Sequence, residues 1–159
     1  MNRQIDFLDW GLTEYADAWQ RQEELFQQLL LNKTNADFNR HYFVFCQHYP
    51  VYTLGKNGRE ENLLLNQLQL QDRGVSFFHT NRGGDITFHG PGQVVGYLIF
   101  DLEKLHLGLK AFIFKLEEAI IQLLEHYGLQ GARLSGATGV WLDAETPNAR
   151  KICAIGLRS

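Results

Sequence analysis

Arg82, Asp85, Thr87 and His89 fall in one short stretch, and Gly83, Gly84, Gly90, Gly92 and Gly96 are set among and just after them. The stretch is NRGGDITFHGPGQVVGY, Asn81 to Tyr97. Glycine lets a backbone approach a ligand closely and take positive φ, at a cost in folding entropy. Glycine pairs on both sides of Ile86, Thr87 and Phe88 predict two tight loops flanking a short strand. Arg82, Asp85 and His89 then bring ionisable groups to the strand ends, where alternating residues face one cleft. A plain hairpin needs only one glycine pair. The segment is read as a ligand-binding one.

A second polar cluster, Arg150, Lys151, Gly156 and Arg158, brackets the run RKICAIGLR. A desolvated lysine has a lowered pKa and a nearby anion holds it charged, so it can act as acid, base or anion clamp. Spacing alone favours the plainer role of a solvated lysine at a strand start. Gly156 within a strand would mark close approach of a ligand or a second backbone. Cys46 and Cys153 sit in the apolar runs FVFCQ and KICAIG, where cysteine behaves as a small core residue. They form neither a disulfide framework nor a zinc pattern.

The elements that must position these residues follow from periodicity. Asn2 to Trp10 is predicted as an edge strand. Leu12, Tyr15, Ala16, Trp19, Glu23, Phe26, Leu29 and Leu30 share a helix face, with Thr13 as its N-cap. Asn32 to Asn39 reads as a loop, Tyr42 to Gln47 as a buried strand and VYTL, after Pro50, as another. Gly55 to Gly58 form a loop bearing Lys56, with Arg59 beside it. Glu61 to Leu65 reads as a helical turn, Val75 to His79 and Val94 to Leu102 as strands, and Asn66 to Arg73 as a polar connection. Leu109 to Tyr127 has the strongest helical pattern, through Phe112, Leu116, Ala119, Ile120, Leu123 and Leu124, with Gly128 at the C-cap. Its polar face, Lys110, Lys115, Glu117, Glu118 and Glu125, is expected in solvent. TGVWLD and KICAIGLR form a hairpin with Pro147 and Asn148 near its tip. The fold class is α+β, a mixed sheet with flanking helices on one side.

A chain of 159 residues, 45% hydrophobic and 21% charged, is read as one domain, 1–159, with a real core. Its formal net charge of −3 calls for no nucleic-acid partner. Asp6, Asp9, Glu14 and Asp17 interrupt the N-terminus, so no signal peptide is read there. VVGYLIF is too short to span a membrane. The compartment expected from the cysteine usage is the cytoplasm.

RGGDITFHGPGQVVGY resembles the signature of the lipoyl(octanoyl) transferases, RGGxxTxHGPGQ, and KICAIGLR resembles their second motif, KIxxxGxR. HYPVYTLG is similar to their upstream segment HxPVYTxG. The resemblance covers the chain from about Gln47 onward, with the motifs in the family's order. It implies an α/β fold shared with lipoate–protein and biotin–protein ligases. It also implies transfer of an octanoyl group from octanoyl-acyl carrier protein to a lysine of lipoyl domains. Those carriers are the lipoyl domains of 2-oxo acid dehydrogenases and the glycine cleavage H protein. No metal and no cofactor is implied. By position, Arg82, Gly83, Gly84, Asp85, Ile86, Thr87, Phe88 and His89 would bind the acyl substrate, together with Ala154, Ile155 and Gly156. Lys151 matches the family lysine that lowers the pKa of a nucleophilic cysteine, whose thiolate attacks the thioester.

One departure stands out. The family's nucleophilic cysteine lies downstream of KIxxxGxR, so the chain is expected to be a C-terminally truncated member, and Cys153 is not assigned that role. On strand alternation Cys153 would share a face with Lys151. An ATP-dependent lipoate–protein ligase would carry RRxSGGGxVxH instead of the first motif. A remnant that only binds acyl chains or carrier proteins is the non-enzymatic alternative. Lys56, Arg59, Lys104, Arg150 and Arg158 are candidate contacts for an acidic carrier.

Overall fold

The computed structural model describes residues 4–35 and 37–158, the Gln67 side chain aside. The chain divides into two compact units, one running to Asp101 and including Arg158, the other Leu102–Leu157.

In the first unit, β1 (Gln4–Thr13), β2 (Arg40–His48) and β6 (Val95–Ile99) form a sheet in the order β1-β2-β6, with β1 parallel and β6 antiparallel to β2. The expected edge strand exists and runs on to Thr13; Asn2 and Arg3 lie outside the described residues. Central β2 alternates as expected of a strand with one face fully buried and the other partly exposed. Tyr42, Val44 and Cys46 are buried, and Leu25, Phe26 and Leu29 of α1 (Tyr15–Leu31) pack with Tyr42 and Ile99. Phe43 and Phe45 point the other way and meet Phe7, with ring centroids 6.0 and 5.3 Å from it.

Thr13 is not the N-cap of α1. It pairs with His48 in the ladder, and Glu14 takes the cap position without a side-chain cap bond. Parallel pairing claimed the residue before the helix could. The buried stripe is also rotated from the expected one, since Ala18 is buried while Ala16 and Leu30 are exposed.

β3 (Val51–Leu54), β4 (Ser76–His79) and β5 (Ile86–His89) form a second mixed sheet, ordered β4-β3-β5. The expected single sheet is therefore split. Tyr49 and Pro50 separate β2 from β3, and proline lacks the N–H that a continuous ladder requires. The helical turn falls at Glu60–Asn62, and a helix that the sequence reading lacked, α2, follows at Gln67–Asp72. Asn66 accepts from the Gln69 backbone while the Gln69 side chain accepts from the Asn66 backbone, both at 2.9 Å. This is a capping box, and it secures so short a helix over buried Leu70.

The second unit packs α3 (Leu109–His126) on an antiparallel sheet of β7 (Gly131–Leu134), β8 (Ala137–Leu142) and β9 (Arg150–Cys153). Phe112, Leu124 and Val140 are buried, and Gly128 takes φ 73° just past the helix end, as expected. Glu117 corrects the solvated-face expectation. It is 7% exposed and bonded to Arg133 and to the Gly139 N–H. The predicted hairpin forms from β8 and β9, but β9 stops at Cys153, so Gly156 follows the strand instead of interrupting it. No helix among the described residues is long and apolar enough to cross a membrane.

Candidate functional site

The glycine-rich stretch is built as a braced loop. Arg82 donates through Nη2 to the Thr53 carbonyl at 2.7 Å and to the Thr53 hydroxyl at 2.8 Å, and through Nε to that hydroxyl at 3.3 Å. Its remaining contacts are the carbonyls of Gly83 at 3.0 Å and Asp85 at 2.9 Å. The guanidinium thus ties the loop to β3, so most of its donors are spent within the protein. Burial lowers its pKa, opposed by Tyr15, Asp85 and Tyr97. Asp85 accepts from the Arg59 N–H and from Asn62 Nδ2, which anchors the Glu60–Asn62 turn. Gly83 is half-buried and Gly84 exposed. Along β5, Thr87 and His89 oppose Thr53 and Val51, whereas Ile86 and Phe88 oppose Leu54 and Tyr52. By alternation, Thr87 and His89 look one way and Ile86 and Phe88 the other.

His89 belongs to a cluster that the sequence reading did not assemble. Tyr15 stacks on His89 at 6.5 Å and meets His48 at 5.3 Å and Phe78 at 5.1 Å, with Trp19 edge-on to Phe78. His48 and His89 lie 5.8 Å apart. Buried His48 approaches the Thr13 carbonyl with Nδ1 at 3.2 Å and the Tyr97 hydroxyl with Nε2 at 2.7 Å. A carbonyl only accepts, so Nδ1 carries the proton; the neutral ring then accepts the Tyr97 O–H at Nε2. Burial raises the Tyr15 and Tyr97 pKa values, keeping both hydroxyls un-ionised. The signals were present: His48 opens the HYPVYTLG segment and Tyr97 closes the glycine-rich one.

Burial also lowers the pKa values of His48 and His89 below 6.5. Below that pH the unfolded chain takes up protons at these rings and the folded chain resists. The folded state therefore loses stability as pH falls through this window, by at most about 1.4 kcal/mol per pH unit for each ring. Urea midpoints are expected to drop between pH 7 and pH 5.5; a flat profile would contradict neutral, desolvated histidines.

Lys151 lies on β9 opposite Trp141, exposed, with Nζ 4.7 Å from the indole centroid. Its neighbour Arg150 is tied to Asp143 at 2.7 Å, but Lys151 has no carboxylate partner among the described residues. Cys153 does not share its face. A register shift between Val140 and Trp141 sets Cys153 opposite Val140, and adjacent strand residues face opposite ways. Burial and then Glu117 raise the Cys153 pKa, outweighing Lys151, which lowers it. Burial, then Asp9, pushes the Cys46 thiol up to about 11. Neither thiol is poised as a thiolate. Ala154 and Gly156 are exposed and Ile155 half-buried, all outside regular structure. Of the candidate carrier contacts, Arg150 and Arg158 are already paired, the latter with Glu23.

The profile of the lipoyl protein ligase A/B catalytic domain matches residues 14–159. The chain is 52% identical over 152 residues to an octanoyltransferase of Bacteroides thetaiotaomicron, covering 96% of this chain and 67% of that protein. The chain belongs to the lipoyl protein ligase A/B catalytic family. Within this family it groups with octanoyltransferases. That of Parabacteroides distasonis is 55% identical over 152 residues, covering 95% of this chain and 69% of the relative. That of Flavobacterium johnsoniae is 48% identical over 168 residues, covering 100% and 71%. The chain thus spans about two thirds of these relatives. The family fold is seen in a bipartite lipoate protein ligase of Thermoplasma acidophilum, with TM-score 0.63, 12% identity and coverage of 94% of this chain and 54% of that one. A lipoate-protein ligase A bound with ATP gives TM-score 0.57 at 12% identity, covering 92% and 56%. At such identities these ligases bear on the α+β fold alone.

Proposed function

We propose that this octanoyltransferase-family acyltransferase takes an octanoyl group from the thioester of an acyl carrier protein and delivers it to a lysine of lipoyl domains. The reaction runs through a cysteine thioester, in the cytoplasm, as a step of lipoate biosynthesis. Thioester exchange moves the acyl group onto the cysteine sulfur and releases the carrier thiol. Attack by the lysine amine then breaks the C–S bond and forms the amide. Residues 82–89 contact the acyl substrate, and Ala154, Ile155 and Gly156 carry the role their motif implies. The carrying observation is Lys151: an exposed ammonium without a carboxylate partner among the described residues, beside an Arg150 that has one. An uncompensated ammonium stabilises a thiolate. With both thiols of this chain raised, the nucleophile is assigned to the part of the relatives' length that this chain does not match.

Intact-mass analysis of a chain extended to the relatives' full length, incubated with octanoyl-acyl carrier protein, tests this. An octanoyl adduct on a cysteine outside residues 1–159 is expected, forming about 100-fold or more slowly in Lys151→Ala. An adduct on Cys46 or Cys153 would overturn the placement of the nucleophile. ATP-dependent attachment of free octanoate would overturn the transferase reading in favour of a ligase.

A further inference from the structure

HGPGQ places Gln93 one tight turn beyond His89. The Gln93 N–H bonds the Gly90 carbonyl at 3.1 Å, and the Gly92 N–H is held by Gln47 Oε1 at 2.7 Å. This turn folds the Gln93 side chain back over the end of β5. Its Nε2 donates to the Phe88 carbonyl at 3.4 Å, which fixes the amide orientation and directs Oε1 to His89 Nδ1 at 2.5 Å. An amide oxygen only accepts, so Nδ1 must carry the ring proton. In a neutral imidazole Nε2 is then a bare lone pair. Among the described residues it has no hydrogen-bond partner.

We propose that Gln93 is a positioning residue that locks His89 as the Nδ1–H tautomer, presenting Nε2 as a ready acceptor for an N–H or O–H of the substrate. Resting on the acyl-transfer reading, the donor it suits is the amine of the incoming lysine, whose N–H a bare imidazole nitrogen can orient. The second histidine cannot fill that place, because Tyr97 already occupies its Nε2. The surroundings favour the neutral ring. Tyr15 from α1 and His48 from β2 face His89, neither carrying a charge. Burial is the main effect opposing protonation; the bond to Gln93 favours the charged form, and the nearby Arg82 guanidinium adds a smaller opposing effect.

The test is a 15N–1H correlation spectrum of the imidazole rings in the 159-residue chain, without substrate, as a function of pH. His89 is expected to show a protonated Nδ1 and an unprotonated Nε2 at pH 7.5. Gln93→Leu should shift the ring toward the Nε2–H tautomer. Gln93→Glu retains the acceptor and adds a charge, so it should keep the tautomer and raise the His89 pKa by about 1–3 units. His48 should keep its own pattern throughout, which separates a local effect from a folding defect. A wild-type Nε2–H tautomer, or a Gln93→Leu ring unchanged from wild type, would overturn the proposal. Because this readout needs no turnover, it can fail while the adduct experiment succeeds, and the reverse.

Discussion

Gly55→Ala is expected to destabilise the first unit by about 1–3 kcal/mol, the range for overpacking. A Cβ at Gly55 would stand 2.3 Å from the Gly84 carbonyl oxygen and 3.0 Å from the Arg82 carbonyl oxygen. Both are backbone atoms, so no rotamer change relieves the overlap. The same backbone segments are tied by the Gly55 N–H to the Asp85 carbonyl at 3.2 Å and the Lys56 N–H to the Arg82 carbonyl at 2.9 Å. Relief would require moving the loop off β3 and stretching the Arg82 bonds to Thr53. Gly96→Ala is the internal comparison. Its Cβ would meet only side-chain carbons, the nearest at 3.4 Å, and a change within about 0.5 kcal/mol is expected. Urea unfolding of both variants decides the matter; equal midpoints would show that the close approach carries no energetic weight.

Glu117→Ala is expected to destabilise the second unit by about 2–4 kcal/mol, the cost of stranding buried partners. One carboxylate oxygen accepts the Gly139 N–H at 2.9 Å and the other Arg133 Nε at 3.1 Å. Alanine leaves that N–H buried without an acceptor, and Arg133 keeps its bonds to Glu118 and the Phe114 carbonyl and its stacking on the Phe114 ring. Gly139 cannot adjust easily. It holds φ 116°, and a Cβ there would lie 2.3 Å from the Cys153 carbonyl oxygen, so β8 and β9 are clamped together at this point. Glu117→Gln keeps an acceptor for Gly139 and should fall between wild type and alanine. Glu118→Ala removes a partly exposed partner of Arg133 and should cost much less. If the two alanine variants unfolded at the same urea concentration, the burial of Glu117 would not matter.

Local pattern was legible where one force dominated. α3 formed where its apolar repeat and Gly128 stop placed it, although Ala119 and Leu123 of that stripe are exposed; β3 followed its β-branched run after Pro50, and β5 its place between glycine pairs. The family motifs were equally legible, being contiguous in sequence. α2 could also have been read, since Asn66 and Gln69 have capping-box spacing, but six residues give too little periodicity to announce a helix. Thr13 and Glu117 misled for a common reason. Each has a strong local preference, for a cap or for solvent, and a distant partner outbid it through pairing or a buried bond.

The sequence by itself determined the order of most elements, the family and the residues gathered in each motif. These depend on spacing along one chain. Only the tertiary structure decided that Arg82 braces its own loop, that His48, Tyr15 and Tyr97 join His89, and that a bulge turns Cys153 away from Lys151. Those facts depend on ladder register and on burial, which set proton positions and face directions among residues far apart in the chain. No local propensity encodes them.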